Sequence, residues 1–179
     1  MDNESLQSLI RSGKKRPLWQ AGPSTRAVNI ERSGIERMLE HRDPFLFVDR
    51  IAEVDLEQGG VKGDRCIDPA DPLFAGHFPS GPLYPGVLQL ETMGQFGLCL
   101  LHLLSTGAHQ VDCSASPAPV RAFKIHHALF LREVMPGDRL TVLGKVVESD
   151  EYTAICSGQV YRGEDLCSFA VMEVYFVQQ

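Results

Sequence analysis

The sequence has no excess of positive charge and no long hydrophobic run. Its 17 lysines and arginines are outnumbered by 23 aspartates and glutamates, so the formal net charge is -6. This balance gives no indication of binding to nucleic acid or to an anionic membrane. The apolar stretch at residues 96–104 is too short to span a bilayer and contains His102. No apolar signal core follows the basic residues near the N-terminus, so we expect a cytoplasmic protein.

Cysteine pairs at close spacing are also missing. The five cysteines are Cys66, Cys99, Cys113, Cys156 and Cys167. A disulfide framework would have an even number of cysteines, and a zinc site would have short paired spacings. The neighbours His126 and His127 make a poor chelate, because adjacent residues of a strand point to opposite faces. We therefore expect reduced thiols and no metal.

The composition suits one domain with an added tail. The chain has 179 residues, of which 44% are hydrophobic and 22% charged. This is enough apolar material for a core that needs no disulfide or metal to stabilise it. Residues 1–29 form an N-terminal extension of unknown role, in which Gly13, Pro17, Gly22 and Pro23 interrupt any periodic pattern. Residues 30–179 are predicted to form the domain.

A long buried helix is the main feature of the predicted domain. It begins at Pro85, which suits the first turn of a helix, and ends near Ser105 with Gly107 as its stop. Its apolar residues fall on all sides, which is typical of a buried helix.

The remaining elements are strands and one short helix. We expect an amphipathic helix at residues 30–40 and strands at 45–55, 61–67 and 120–125. Beyond residue 138, apolar residues alternate in successive segments separated by turns, which indicates antiparallel hairpins. Because such a sheet and one apolar helix have to bury each other, the predicted fold class is α+β with a central helix against an antiparallel sheet.

Three residues near the start of the long helix form a candidate reaction site. His77 lies in a proline-bounded loop just before the helix. Gly86 lies in the first turn, where backbone N–H groups lack partners and the helix dipole favours negative charge. Glu91 follows among apolar residues, where a carboxylate is costly unless it is paired or protonated. Together they supply a base, an anion-binding helix end and an acid of raised pKa.

Each of these residues also has an ordinary structural explanation. A single loop histidine such as His77 more often has a surface or structural role. Glu91 could lie on a partly exposed helix face or in an internal ion pair, and Gly86 could be a packing glycine.

Three ordered segments resemble the beta-hydroxyacyl-acyl-carrier-protein dehydratases of dissociated fatty-acid synthesis, a hot-dog family. Residues 41–50 resemble the first signature of that family, and residues 76–95 resemble its active-site signature at unbroken spacing. Residues 130–138 resemble a third segment. The similarity covers about residues 30–177, so the extension lies outside it.

The resemblance implies a double hot-dog homodimer, or a trimer of such dimers, with His77 of one subunit facing Glu91 of the other. His77 would remove the α proton of a (3R)-3-hydroxyacyl thioester, and Glu91 would protonate the departing hydroxyl. The N–H of Gly86 would polarise the thioester carbonyl, and Gln95 would support the Glu91 carboxyl. The trans-2-enoyl product would form on acyl carrier protein without a cofactor, in fatty-acid or polyketide-type biosynthesis.

The sequence departs from the family where the acidic carrier protein would dock. Ser80-Gly81-Pro82 lacks the basic residue usual after the active-site motif, and the third segment is less basic than in the family. Four cations remain docking candidates, although charged residues are usually solvated surface. They are Arg121, Lys124, Arg132 and Arg139.

Three other functions share parts of this pattern. A related dehydratase that also isomerises the double bond has aspartate at the position of Glu91. A hot-dog thioesterase would keep the helix carboxylate but would not need the motif around His77. A non-catalytic acyl-binding or scaffold subunit would have no use for a buried acid opposite a base.

Overall fold

A computed structural model describes residues 1–177. Within them the helices are α1 (Asn3–Gly13), α2 (Arg32–Met38) and α3 (Gly86–Thr106), with a short 3-10 helix at Pro72–Ala75. The strands are β1 (Arg26–Ile30), β2 (Arg50–Asp55), β3 (Gly60–Cys66), β4 (Val120–Phe130), β5 (Arg139–Ser149), β6 (Thr153–Arg162) and β7 (Asp165–Phe176).

The strands form one sheet of seven in the order β1-β2-β3-β5-β6-β7-β4, and every neighbouring pair is antiparallel. α3 lies across one face of the sheet and contacts chiefly β5, β6 and β7. The predicted α+β hot-dog fold, a long central helix wrapped by an antiparallel sheet, is confirmed.

α3 begins and ends where the sequence predicts. Pro85 is its N-cap, and Gly107 closes it in a left-handed conformation with φ of 63°. The helix packs closely on β6 at Gly158, where a Cβ atom would lie 2.5 Å from the Met93 Cβ. By length and composition alone α3 could cross a membrane, but half of its most apolar stretch is buried, as is usual for a core helix.

The strand predicted at residues 45–55 is wrong in its first half, because β2 begins only at Arg50. Two backbone groups before it bond to a side chain of α3 instead of to a strand. Phe47 donates its N–H to Oε1 of Gln95 at 2.7 Å, and the Phe45 carbonyl accepts from Nε2 of Gln95 at 2.9 Å. β4, in contrast, continues past the predicted end at residue 125 and stays paired with β7 as far as Phe130.

The N-terminal extension covers the other face of the sheet. Ile10 of α1 packs with Phe169 and Val171 of β7, whereas Ala170 between them belongs to the core under α3. Since alternate residues of a strand point to opposite faces, α1 and α3 lie on opposite sides of the sheet. Trp19 is buried and donates its indole N–H to a β3 carbonyl at 3.2 Å. The boundary drawn after residue 29 falls inside β1.

The Gln159 side chain attaches this extension to the sheet. Its Nε2 donates to the carbonyls of Gly13 at 2.7 Å and Arg16 at 3.0 Å, and its Oε1 accepts the Leu18 N–H at 2.9 Å. Gln159 is 0% exposed, so loss of the amide would leave peptide groups unpaired in a dry environment.

Replacing Gln159 by leucine is expected to lower the free energy of unfolding by about 3 kcal/mol, because one buried and two partly buried peptide groups lose their partner. Urea unfolding followed by the fluorescence of Trp19, the single tryptophan, measures this change. The matched control is Gln110→Leu at an exposed glutamine. Equal unfolding midpoints for the two variants would show that Gln159 does not anchor the extension.

Candidate active site

A mainly apolar cavity of about 1090 Å³ lies between α3 and strands β4 and β7. Leu90, Gly94, Leu98 and Leu101 line it from α3 at the spacing of one helical face. Glu91 belongs to the same face and also lines the cavity. A concave apolar site beside a carboxyl group suits a ligand with a long apolar part and a polar reacting end.

Two side chains hold one oxygen of the Glu91 carboxyl. Nε2 of Gln95, one turn further along α3, donates to Oε1 of Glu91 at 2.9 Å. Nε2 of His41, in the segment after α2, lies 3.3 Å from the same oxygen. Gln95 is 0% exposed, and its bonds to the backbone of Phe45 and Phe47 fix the direction of its amide.

These contacts reverse the expected titration of Glu91. From burial alone the sequence predicts a raised pKa. In the structure the hydrogen bond from His41 lowers the pKa of Glu91 below its usual 4.5, burial opposes this change, and Gln95 adds to the lowering. Within a single chain Glu91 therefore favours the carboxylate form.

His77 is held as a potential base. Its Nδ1 lies 2.9 Å from the Leu83 carbonyl, and the Leu83 N–H donates to the His77 carbonyl at 3.1 Å. Because a carbonyl accepts only, Nδ1 carries a proton, and in the neutral form of the ring the lone pair is on Nε2. The ring stacks on Phe78 with 4.0 Å between centroids.

Gly86 is the first residue of α3, and its N–H has no hydrogen-bond partner among residues 1–177. The ring of Phe130 lies directly above it, since a Cβ atom at Gly86 would meet that ring at 2.9 Å. The missing side chain therefore allows β4 to approach the helix end closely.

The structure separates the predicted site residues. In the described chain Glu91 lines the cavity, but His77 and Gly86 do not. Arg121 and Lys124 line it from β4 and are exposed.

The other two docking candidates do not belong to the cavity. Arg132 is exposed and pairs with Asp165 at 3.2 Å, and Arg139 lies on β5 opposite Cys66.

Sequence reasoning missed the part played by His41. It opens the first family-like segment, but nothing nearby in the sequence indicates a contact with a carboxyl on α3. The available signal was the need of a partly buried carboxylate for a donor.

Comparison with known proteins defines the class. The FabA-like domain family matches residues 39–168, and the chain belongs to this family. The predicted resemblance is confirmed by curated relatives described as "3-hydroxyacyl-[acyl-carrier-protein] dehydratase FabZ". The protein from a Nitratiruptor species is 35% identical over 81% of this chain and 96% of its own length. That from Campylobacter curvus is 32% identical over the same shares.

A solved structure supports the fold. The dehydratase heterocomplex ApeI:P from Xenorhabdus doucetiae matches with a TM-score of 0.62 at 13% identity, over 86% of this chain and 94% of that one. An uncharacterized protein from Pyrococcus horikoshii matches with a TM-score of 0.51 at 17% identity, over 85% and 96%.

The lowered pKa of Glu91 predicts a stability change with pH. Its folded value lies below the usual 4.5, so the carboxylate contributes stability that is complete above the unfolded pKa and is lost as pH falls through the folded pKa. Glu91→Gln is therefore expected to be less stable than wild type at neutral pH, and this difference is expected to shrink as the pH falls below 4.5. Urea unfolding across this range measures the difference. The exposed Glu57 supplies the control Glu57→Gln, and a constant gap between Glu91→Gln and wild type would contradict the assignment.

Proposed function

We propose that this protein removes water from (3R)-3-hydroxyacyl groups on acyl carrier protein and forms the trans-2-enoyl thioester. The observation that carries the proposal is a carboxyl held by His41 and Gln95 in an apolar cavity, in a chain whose relatives are 3-hydroxyacyl-[acyl-carrier-protein] dehydratases. The cavity accommodates an acyl chain, and Glu91 is the acid beside it.

The elimination divides into three tasks. Nε2 of His77 takes a proton from C2, and the electron pair of that C–H bond forms the C2–C3 double bond. The C3–O bond breaks, and Glu91 gives its proton to the departing oxygen, so that water leaves. The N–H of Gly86 stabilises negative charge on the thioester oxygen, a contribution of about 3 kcal/mol for one such donor. After release of the product, the proton on His77 and the charge on Glu91 return to their starting state by exchange with water.

We propose that the site is shared between two copies of the chain. β4 is an edge of the sheet with 11 residues, and it exposes Phe123 (64%) and Ile125 (56%). A long apolar edge strand is a natural pairing surface. It also borders the cavity that contains Glu91. Pairing of two β4 strands would give each cavity a neighbouring subunit, which is the proposed source of His77.

The carrier protein and the compartment also belong to the proposal. Arg121 and Lys124 line the cavity and are the proposed contacts for an acidic carrier protein. Fatty-acid biosynthesis is the proposed pathway, with polyketide assembly as the alternative. All five cysteines are free thiols, which favours the reducing cytoplasm.

Purified protein incubated with 3-hydroxyacyl carrier protein is expected to form the enoyl thioester, detected by its absorbance and by mass spectrometry. A decrease of at least about a hundredfold is expected for His77→Ala or Glu91→Gln, since each removes a proton-transfer group. Release of free thiol without the enoyl product would instead identify a thioesterase. Full turnover by His77→Ala would identify a different chemistry.

Mixing the two inactive variants tests the shared site. In a hybrid of a His77→Ala subunit and a Glu91→Gln subunit, one site has both mutations and the other has neither. Random exchange at equal amounts then restores about one quarter of wild-type activity, because half of the dimers are hybrids with one intact site of two. The double variant mixed with wild-type protein serves as the control for exchange. Activity that stays at zero after proven exchange would place His77 and Glu91 of one site in the same chain.

A further inference from the structure

The two oxygens of the Glu91 carboxyl have different surroundings. Oε1 has both contacts, with Nε2 of Gln95 at 2.9 Å and Nε2 of His41 at 3.3 Å. Oε2 has no hydrogen bond or ion pair among residues 1–177. The carboxyl is therefore held by one oxygen while the other remains available.

The direction of the Gln95 amide decides which atom is the donor. Oε1 of Gln95 accepts the N–H of Phe47, and a backbone N–H donates only. The nitrogen of the amide must then face both the Phe45 carbonyl and Glu91. Oε1 of Glu91 is consequently an acceptor in either charge state, so a proton on this carboxyl is carried by Oε2.

His41 is placed to be the second donor to Oε1, because its Nε2 lies 3.3 Å from that oxygen. Its Nδ1 is buried and has no hydrogen-bond partner within the described chain. With the proton on Nε2, the ring donates to Glu91 and leaves a lone pair in that dry position rather than an unpaired N–H. The ring stacks on Phe45, with 6.3 Å between centroids and 21° between planes. The Phe45 carbonyl also accepts a hydrogen bond from Gln95. Phe45 therefore contacts both His41 and Gln95.

We propose that His41 is a positioning residue that, together with Gln95, holds Oε1 of Glu91 and directs Oε2 to the 3-hydroxyl of the substrate. This inference rests on the proposed dehydration and names the oxygen that carries the reacting proton. His41 does not exchange the proton itself. Loss of its N–H leaves Gln95 as the one described donor to Oε1, so the carboxyl rotates more easily about its last side-chain bond and the acidic proton moves away from the leaving oxygen.

Other charged groups around the cavity have to be considered in any titration of Glu91. His41 and Glu40 face it from the segment after α2, His102 from α3, Arg121 and Lys124 from β4, Asp150 from the turn after β5, and Glu173 from β7. Of these, His41 is the one whose hydrogen bond lowers the Glu91 pKa, and Gln95, which carries no charge, adds to the lowering. Among the charged groups of the cavity, the titration of Glu91 therefore reports on His41.

Three variants of His41 separate the effect of its N–H donor from the effect of its ring shape. His41→Phe keeps the ring on Phe45 and removes the N–H. His41→Gln keeps an N–H at the reach of Nε2, and His41→Asn carries the same amide one carbon short. Each is assayed for kcat and KM on 3-hydroxyacyl carrier protein, and the Glu91 carboxyl is titrated by carbon NMR. His109→Gln, at a histidine beside β1 and outside the cavity, is the matched control.

We expect kcat of His41→Phe and His41→Asn to fall roughly ten- to hundredfold with KM changed less than about twofold, since the loss is one of orientation. The Glu91 titration should move to higher pH in both, and His41→Gln should restore most of kcat and of the titration.

If His41→Phe does not fold, the comparison of His41→Gln with His41→Asn still tests the proposal. Equal kcat and equal titration in His41→Gln and His41→Asn overturn the proposal. A wild type without turnover overturns the proposed function instead, while the titration still tests the contact.

Discussion

A carboxyl on a buried helix needs partners that replace water, and the contacts of Glu91 organise the surrounding structure. One face of α3 packs on the sheet, chiefly on β5, β6 and β7, and the donors to Glu91 come from the helix itself and from the segment beside it. Gln95 is the donor on the helix, and His41 is the donor on the segment.

The same requirement shapes the chain before β2. Gln95 satisfies the backbone of Phe45 and Phe47, and this segment stays irregular although its composition favours a strand. Its irregular path lets the His41 ring stack on Phe45 while Nε2 faces Glu91. Local propensity has been overridden by one buried amide, because a buried peptide group needs a partner of any kind. The first family-like segment is therefore a support for the carboxyl on α3.

Local signals explain which elements the sequence predicts well. Pro85 and Gly107 mark the ends of α3 through φ restriction and the left-handed conformation, so that helix follows from residues in or next to it. The β5, β6 and β7 hairpins follow equally from alternation and turns. The start of β2 does not follow from local signals. The backbone just before it bonds to the side chain of Gln95, which is 48 residues away from Phe47 in the sequence. The Glu91 pKa direction was missed for the same reason, because burial is visible in the local pattern and His41 is not.

The extension shows the same limit on a larger scale. α1 has 11 residues, a length at which a helix in water is marginal and depends on packing. Its packing partners lie on β6 and β7, far along the chain from Ile10. The breaks at Pro17, Gly22 and Pro23 predict an irregular segment, and an irregular segment is what links α1 to β1. The breaks do not predict the hydrogen bonds that fix this segment on the sheet. Gln159 bonds to its backbone, and Trp19 donates to a β3 carbonyl.

The proposed second subunit also bears on the protonation of Glu91. An acid for elimination has to carry a proton, whereas in one chain His41 and Gln95 lower the Glu91 pKa. Burial is the contribution that raises it, and the cavity wall is still open at the edge strand β4. A partner that covers this edge removes water from the carboxyl, so it strengthens burial and shifts the pKa upward. When the carboxyl is protonated, Oε1 still accepts from both donors as a carbonyl oxygen and Oε2 carries the proton, so the two contacts are compatible with the acid form. Assembly that brings His77 to the site would thus also favour the protonated acid that His77 requires opposite it.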